Sequence, residues 1–334
     1  MDHKLSVSCR SVCQKCPLVR GAFLFLAGLC LSVTPAMAQE ESVFDGVHGF
    51  ISVGFSDFAN NLDGLFGGVE KGSGSNKSWA RIRTDVIRFE SDSFRLRPNA
   101  KLRLVLPNTQ ERFRLLLSTE DEDNLEPGQA RASRTLEDDN NNISLALRFL
   151  RSVRENQSLK FDFGARFRDD ELQLFARINA SRRLLTSSDQ LTTATVINNF
   201  WFFSADGFEN RLRLDVNHKF SFLPKALLQS RSELIHRNGI GGAEIVQQFS
   251  FFNELESGDL IGFENIYDLD TSPDEGESED ELRSIEARIR VRRNIWRDWF
   301  FYEIRPRVRW EAENDFSTRY GLQLRAEIFI GSKS

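Results

Sequence analysis

From Trp79 onward the chain alternates apolar and polar residues with a period of two. Between Phe94 and Leu106 the even positions are Phe94, Leu96, Pro98, Ala100, Leu102, Leu104 and Leu106, while the odd positions carry Arg95, Arg97, Asn99, Lys101, Arg103 and Val105. From Tyr320 to Ile330 the even set is Tyr320, Leu322, Leu324, Ala326, Ile328 and Ile330, set against Gly321, Gln323, Arg325, Glu327 and Phe329. Side chains alternate across a strand, so each run predicts a strand with one apolar and one polar face. The pattern predicts about fourteen strands, near 79–90, 94–106, 111–118, 143–154, 159–168, 172–184, 192–204, 208–220, 225–236, 243–255, 260–268, 282–294, 299–311 and 319–330. Most are longer than the five or six residues usual in soluble sheets, and they match the roughly 9–11 residues of a tilted membrane strand. The expected fold is an all-β, antiparallel, up-and-down transmembrane barrel over 79–331.

The connections agree with that reading. The longest, 119–142 and 269–281, follow odd-numbered strands and so share one end. Short turns, Pro107-Asn108-Thr109-Gln110, Phe222-Leu223-Pro224 and Glu256-Ser257-Gly258-Asp259, share the other. Short periplasmic turns with long outer loops are the outer-membrane pattern. Trp79, Trp201, Trp296, Trp299 and Trp310 fall near strand ends, where interfacial girdles sit. Pro98 and Pro306 interrupt predicted strands, and bulges are expected there.

Before Trp79 the period differs. Phe44, Val47, Ile51, Phe55, Phe58, Leu62 and Leu65 recur in steps of three and four, the stripe of an amphipathic helix over 43–66. A Gly/Ser-rich linker, 67–78, follows, so 39–78 forms one N-terminal segment. The first 38 residues have the layout of an export signal. Lys4, Arg10, Lys15 and Arg20 precede an apolar run from Gly21 to Val33, and Ala36 and Ala38 supply the small residues at the cleavage site. That apolar run is too short to cross roughly 30 Å of hydrocarbon. All 4 cysteines, Cys9, Cys13, Cys16 and Cys30, lie in the segment expected to be removed, which leaves neither disulfides nor thiol chemistry.

The stretch Arg292-Arg293-Asn294-Ile295-Trp296-Arg297-Asp298-Trp299-Phe300-Phe301-Tyr302-Glu303-Ile304-Arg305-Pro306-Arg307-Val308-Arg309-Trp310, with Leu102-Arg103-Leu104-Val105-Leu106-Pro107-Asn108-Thr109 and the early amphipathic segment, resembles an uncharacterised proteobacterial outer-membrane β-barrel protein family. The resemblance implies a location and no assigned activity. Arg319, Gly321, Leu324 and Ala326 are similar to the last-strand signal read by the barrel assembly machinery, which implies that machinery as a partner during biogenesis. The chain departs from the commonest form of that signal by ending Gly331-Ser332-Lys333-Ser334.

Composition narrows function mainly by exclusion. A net charge of -5 gives no electrostatic case for nucleic acid. No phosphate loop or nucleotide fingerprint is present, and no cofactor is expected. Outer-membrane lipid and lipopolysaccharide are the expected surroundings. The acids of 119–142 and 268–281 read as solvated loops or as bridges through divalent ions to lipopolysaccharide. Asp268, Asp270 and Asp274 have calcium-like spacing without an EF-hand loop.

The chemistry left is charge on the inner wall. The polar faces of the last three and first two strands carry Arg81, Arg83, Arg95, Arg97, Lys101, Arg103, Arg288, Arg290, Arg292, Arg305, Arg307, Arg309, Arg319 and Arg325. Their acidic companions are only Asp85, Glu286, Glu303, Glu311 and Glu327. A narrow, basic, low-dielectric channel attracts anions and repels cations. The competing expectation is a structural barrel whose lumen is blocked by Arg/Glu pairs. Enzymes of this architecture need a positioned base. His218 and His236 share parity with outward apolar residues, so a lipid hydrolase built on His236 would need a serine from another strand than the one carrying Ser230 and Ser232.

Overall fold

In a computed structural model of the protein, residues 78–90, 92–105, 112–119, 143–154, 156–168, 171–238, 242–255, 257–271, 281–294, 297 and 299–331 are described. The expected signal, the helix over 43–66, most of its linker, Trp296, Asp274 and nearly all of 119–142 lie outside the described residues.

The strands are β1 (Trp79–Phe89), β2 (Arg95–Val105), β3 (Phe113–Ser118), β4 (Ile143–Arg154), β5 (Gln157–Arg168), β6 (Glu171–Thr186), β7 (Thr192–Phe203), β8 (Gly207–Phe220), β9 (Leu223–Arg237), β10 (Glu244–Glu254), β11 (Leu260–Asp270), β12 (Glu281–Asn294), β13 (Phe300–Glu311) and β14 (Thr318–Gly331). Each pairs antiparallel with its chain neighbours, and β1 closes on β14 from Trp79 opposite Gly331 to Phe89 opposite Gly321. Closure removes every free edge, so each backbone donor and acceptor in the wall has a ladder to join.

Alternation then assigns two surfaces. Leu172 (69% exposed), Leu174, Phe163, Phe202 and Leu322 point outward, and with their neighbours they make an apolar belt around the barrel. The odd residues of β1, β2, β13 and β14 point inward together with the even residues of β12, as the pairs Arg83 with Glu327 and Glu286 with Arg309 require.

Several expectations are corrected. Leu223 and Pro224 belong to β9, and the turn before them is Ser221 and Phe222 alone. No register shift occurs at either strand proline; among the described pairings the shifts lie at Asp268/Leu269, Ser152/Arg154, Arg183/Leu185 and Lys219/Phe220. Pro98 sits opposite Thr84 and beyond the last β2–β3 pair, Lys101 with Ser118, so its missing N–H interrupts no described β2–β3 bond. Pro306 leaves a gap instead: β12 and β13 pair at Arg288 with Arg307 and again at Val291 with Ile304, in unchanged register. Trp79 and Trp201 face inward and are buried, because they share parity with Arg81 and Asn199; of the expected girdle, Trp310 faces outward and donates from Nε1 to Thr318 Oγ1 at 3.0 Å.

Glycine makes room for inward rings in the wall, at Gly164 beneath Phe175 and in two places beside an arginine. A Cβ on Gly262 would meet the Phe252 ring at 2.6 Å, and one on Gly321 would meet the Phe89 ring at 2.7 Å. In each case the ring lies over the glycine, and an arginine of the next strand, Arg290 or Arg307, reaches over it with its guanidinium 5.6 or 5.3 Å from the centroid.

The inner wall as candidate functional site

On β12, β13, β14 and β1 the inward arginines meet carboxylates directly opposite, diagonally across the ladder, or two residues along the same strand, all within reach of a long side chain. Arg325 donates to Asp85 from Nε at 2.6 Å and from Nη2 at 3.1 Å, and Arg83 pairs with the same carboxylate at 3.1 Å. Glu303 faces Arg290 at 3.1 Å and Arg292 at 3.9 Å, and it accepts a hydrogen bond from Arg305. Arg292 also donates to Glu327 at 2.6 Å. Glu286 lies between Arg288 (3.5 Å) and Arg307 (3.8 Å), and Arg307 donates to Gln323. Glu311 serves Arg309 (3.3 Å) and Arg319 (2.6 Å).

The remaining sequence-selected residues lie on the same face. Arg81, Arg95, Arg97, Lys101 and Arg103 alternate inward along β1 and β2, with Lys101 only 2% exposed. The recurring arrangement is one carboxylate shared by two or three guanidiniums.

The rest of the barrel, from β4 round to β11, repeats it with carboxylates that sequence reasoning passed over. Asp162 on β5 accepts from Arg148 of β4 at 2.7 and 2.9 Å and from Arg177 of β6 at 2.6 Å. Asp215 takes Arg231 at 2.9 Å and Arg213 at 3.4 Å, and Glu264 accepts from Arg288 and faces Arg290 at 3.6 Å. Each of these occupies the polar parity of its strand, so alternation alone could have listed them. Which arginine meets which acid needs the register, and a single sequence does not supply it.

An apolar cluster also faces inward on this side. It joins Leu116, Ala146, Phe175, Trp201 and Phe203. Trp201 and Phe203 stack at 5.5 Å, with the Arg177 guanidinium 4.2 Å from the first ring and that of Arg166 3.6 Å from the second. Guanidinium over an aromatic face keeps its charge while covering apolar surface.

Other candidates are placed elsewhere. Asp268 and Asp270 sit in β11 and point inward, with Asp270 paired to Arg283, so they are wall residues instead of loop ligands. Among the described residues no group of three His, Cys, Asp or Glu side chains gathers as metal ligands. His218 and His236 lie outward, as their parity indicates. His218 Nδ1 is 2.9 Å from Thr192 Oγ1, and His236 Nδ1 is 2.9 Å from the Gly242 carbonyl oxygen. Ser230 and Ser232 are both hydrogen-bonded to Gln247.

No family model matches the chain, and no curated protein matches it. Solved structures do resemble it. A loop-deletion form of OmpT, an outer membrane protein of Vibrio cholerae, is 8% identical, with 76% of this chain and 99% of that one covered and a TM-score of 0.48. OprB of Pseudomonas putida is 7% identical, with 77% and 94% covered and a TM-score of 0.47. The CymD monoaromatic hydrocarbon channel is 8% identical, with 85% and 93% covered and a TM-score of 0.46. At such identities, solute and activity have to be argued from this chain's own wall.

Proposed function

We propose that the protein is an integral outer-membrane β-barrel that gives small anions a passive route across the membrane. The membrane placement rests on the outer belt. A closed barrel that turns Leu172, Leu174, Phe163 and Phe202 outward needs lipid to cover them, since soluble proteins rarely expose contiguous apolar surface beyond a few hundred Å2. The observation that carries the anion preference is the sharing of carboxylates. Asp85, Glu286, Glu303 and Glu311 each serve at least two arginines, so pairing leaves the inner wall of β12, β13, β14, β1 and β2 positive. Bracing alone is met by equal numbers of each sign. An excess of fixed guanidiniums in a low-dielectric passage favours anions over cations.

One observation favours a second reading, the structural barrel with a blocked lumen. Arg305 is 0% exposed and Asp85 1%, so this part of the wall is packed as well as charged. Conductance separates the two. With Arg305, Arg307 and Arg309 all replaced by Gln, and folding confirmed by heat-modifiable gel mobility, the reversal potential in a KCl gradient should move toward zero. An unchanged potential contradicts the anion reading. Absence of conductance in both forms favours the blocked barrel.

A further inference from the structure

At the barrel end that carries the β1–β2 connection, a small, shallow pocket opens between β1, β2 and β13. Arg95 and Arg97 line it from β2, Arg307 and Arg309 from β13, and Ile87 and Phe89 form its apolar floor. The one acid in its lining, Asp92, is already held by Arg319, which donates to both its oxygens at 3.0 and 2.9 Å. Four guanidiniums therefore line a concave site against the one carboxylate of Asp92, which Arg95 also approaches at 3.9 Å, while Arg307 and Arg309 face Glu286 and Glu311 beyond the lining at 3.8 and 3.3 Å.

Arg307 adds an independent sign of a missing acceptor. It is 3% exposed, its Nη2 donates to Gln323, and its Nε is buried without a hydrogen-bond acceptor among the described residues. A buried donor on a charged group left unsatisfied costs more than about 1–3 kcal/mol, so such a group is normally met by an acceptor. The side chain is also fixed. Gly321 leaves room beneath it, and both Arg307 and Arg319 lie with their guanidiniums 5.3 Å from the Phe89 centroid.

We infer that this pocket binds a small oxyanion group, either free phosphate or the carboxylate of a compact organic acid. The inference deepens the anion reading and rests on it for its biological sense. Planar guanidinium forks match carboxylate and phosphate oxygens in pairs. The enclosed space is only about 10 Å3, room for about one water-sized atom, so the pocket takes the oxygens of such a group and not its whole body. Ile87 and Phe89 offer an apolar body a surface that phosphate alone would not use. The site lies where a solute arriving from the long-loop side first meets the positive wall.

The test is calorimetric titration of the full chain, refolded in detergent micelles, with inorganic phosphate and separately with benzoate. Saturable binding of either is expected. The double variant Arg95→Gln/Arg97→Gln should weaken it at least tenfold, while Lys225→Gln, at the other end of the barrel, should leave it unchanged. Tighter binding of benzoate identifies an organic acid that uses the Ile87 and Phe89 floor, and tighter binding of phosphate identifies the inorganic ion. No saturation by either probe in folded wild-type protein, or equal affinity in the double variant, overturns the inference. Both results are independent of the reversal potential: anion selectivity without saturable binding removes only the pocket, and saturable binding with cation selectivity removes only the channel reading.

Discussion

Asp162 shows what the wall demands of single residues. It is 0% exposed, and both its neighbours across the ladder are arginines. A charge so far from water is tolerated only when paired, and removing one partner of a buried pair costs about 3–5 kcal/mol. Asp162→Asn should therefore lower unfolding stability by that order, read as a drop in the urea midpoint in micelles. Replacing Arg148, Asp162 and Arg177 together by Met, Leu and Met should recover most of the loss, because no uncompensated charge remains. Gly321→Val tests packing instead of charge. Its Cβ would enter the Phe89 ring, and overpacking of this kind costs about 1–3 kcal/mol. At this scale the sequence was only partly legible. Parity put Arg83, Asp85, Arg305 and Arg325 on one face, but it also put Trp79 and Trp201 there, and their nearness to strand ends misled because it ignores which face a residue takes.

At the scale of elements, alternation located all the strands, with ends within two residues of those observed. A half-buried strand must alternate or lose one of its surfaces, so the signal is strong wherever lipid lies on one side and charge on the other. The prolines were less legible. A missing N–H can be absorbed by a bulge, by the end of a neighbouring strand, or by a gap in register, and composition does not choose among these. Pro98 takes the second route and Pro306 the third. Hydrogen exchange in micelles should show the consequence. Amides of Ile289 and Arg290, opposite the gap, should exchange faster than those from Ser284 to Arg288, which lie in the continuous ladder. Equal protection along the whole of β12 would mean that the ladder is intact at Pro306.

For the whole molecule, closure and charge have to be considered together. A barrel without an edge can unfold only by breaking its wall, so the folded chain should migrate differently from the boiled one on a gel and should fractionate with the outer membrane. Recovery as a soluble periplasmic monomer would contradict that. Inside, the wall from β12 to β2 holds more guanidinium than carboxylate, and the sharing of Asp85, Glu303 and Glu311 leaves the difference uncancelled. This imbalance could be read from the sequence once the strands were aligned by parity. The aromatic side of the lumen was harder to read, because Phe175, Trp201 and Phe203 look like lipid-facing residues by their type, although parity turns them inward. The reversal potential of the refolded wild-type chain in a planar bilayer, across a tenfold KCl gradient at low ionic strength where screening is weak, tests the central claim most directly, since potassium and chloride move almost equally fast in water. The account predicts a potential displaced toward the chloride equilibrium value; displacement toward the potassium value would contradict it.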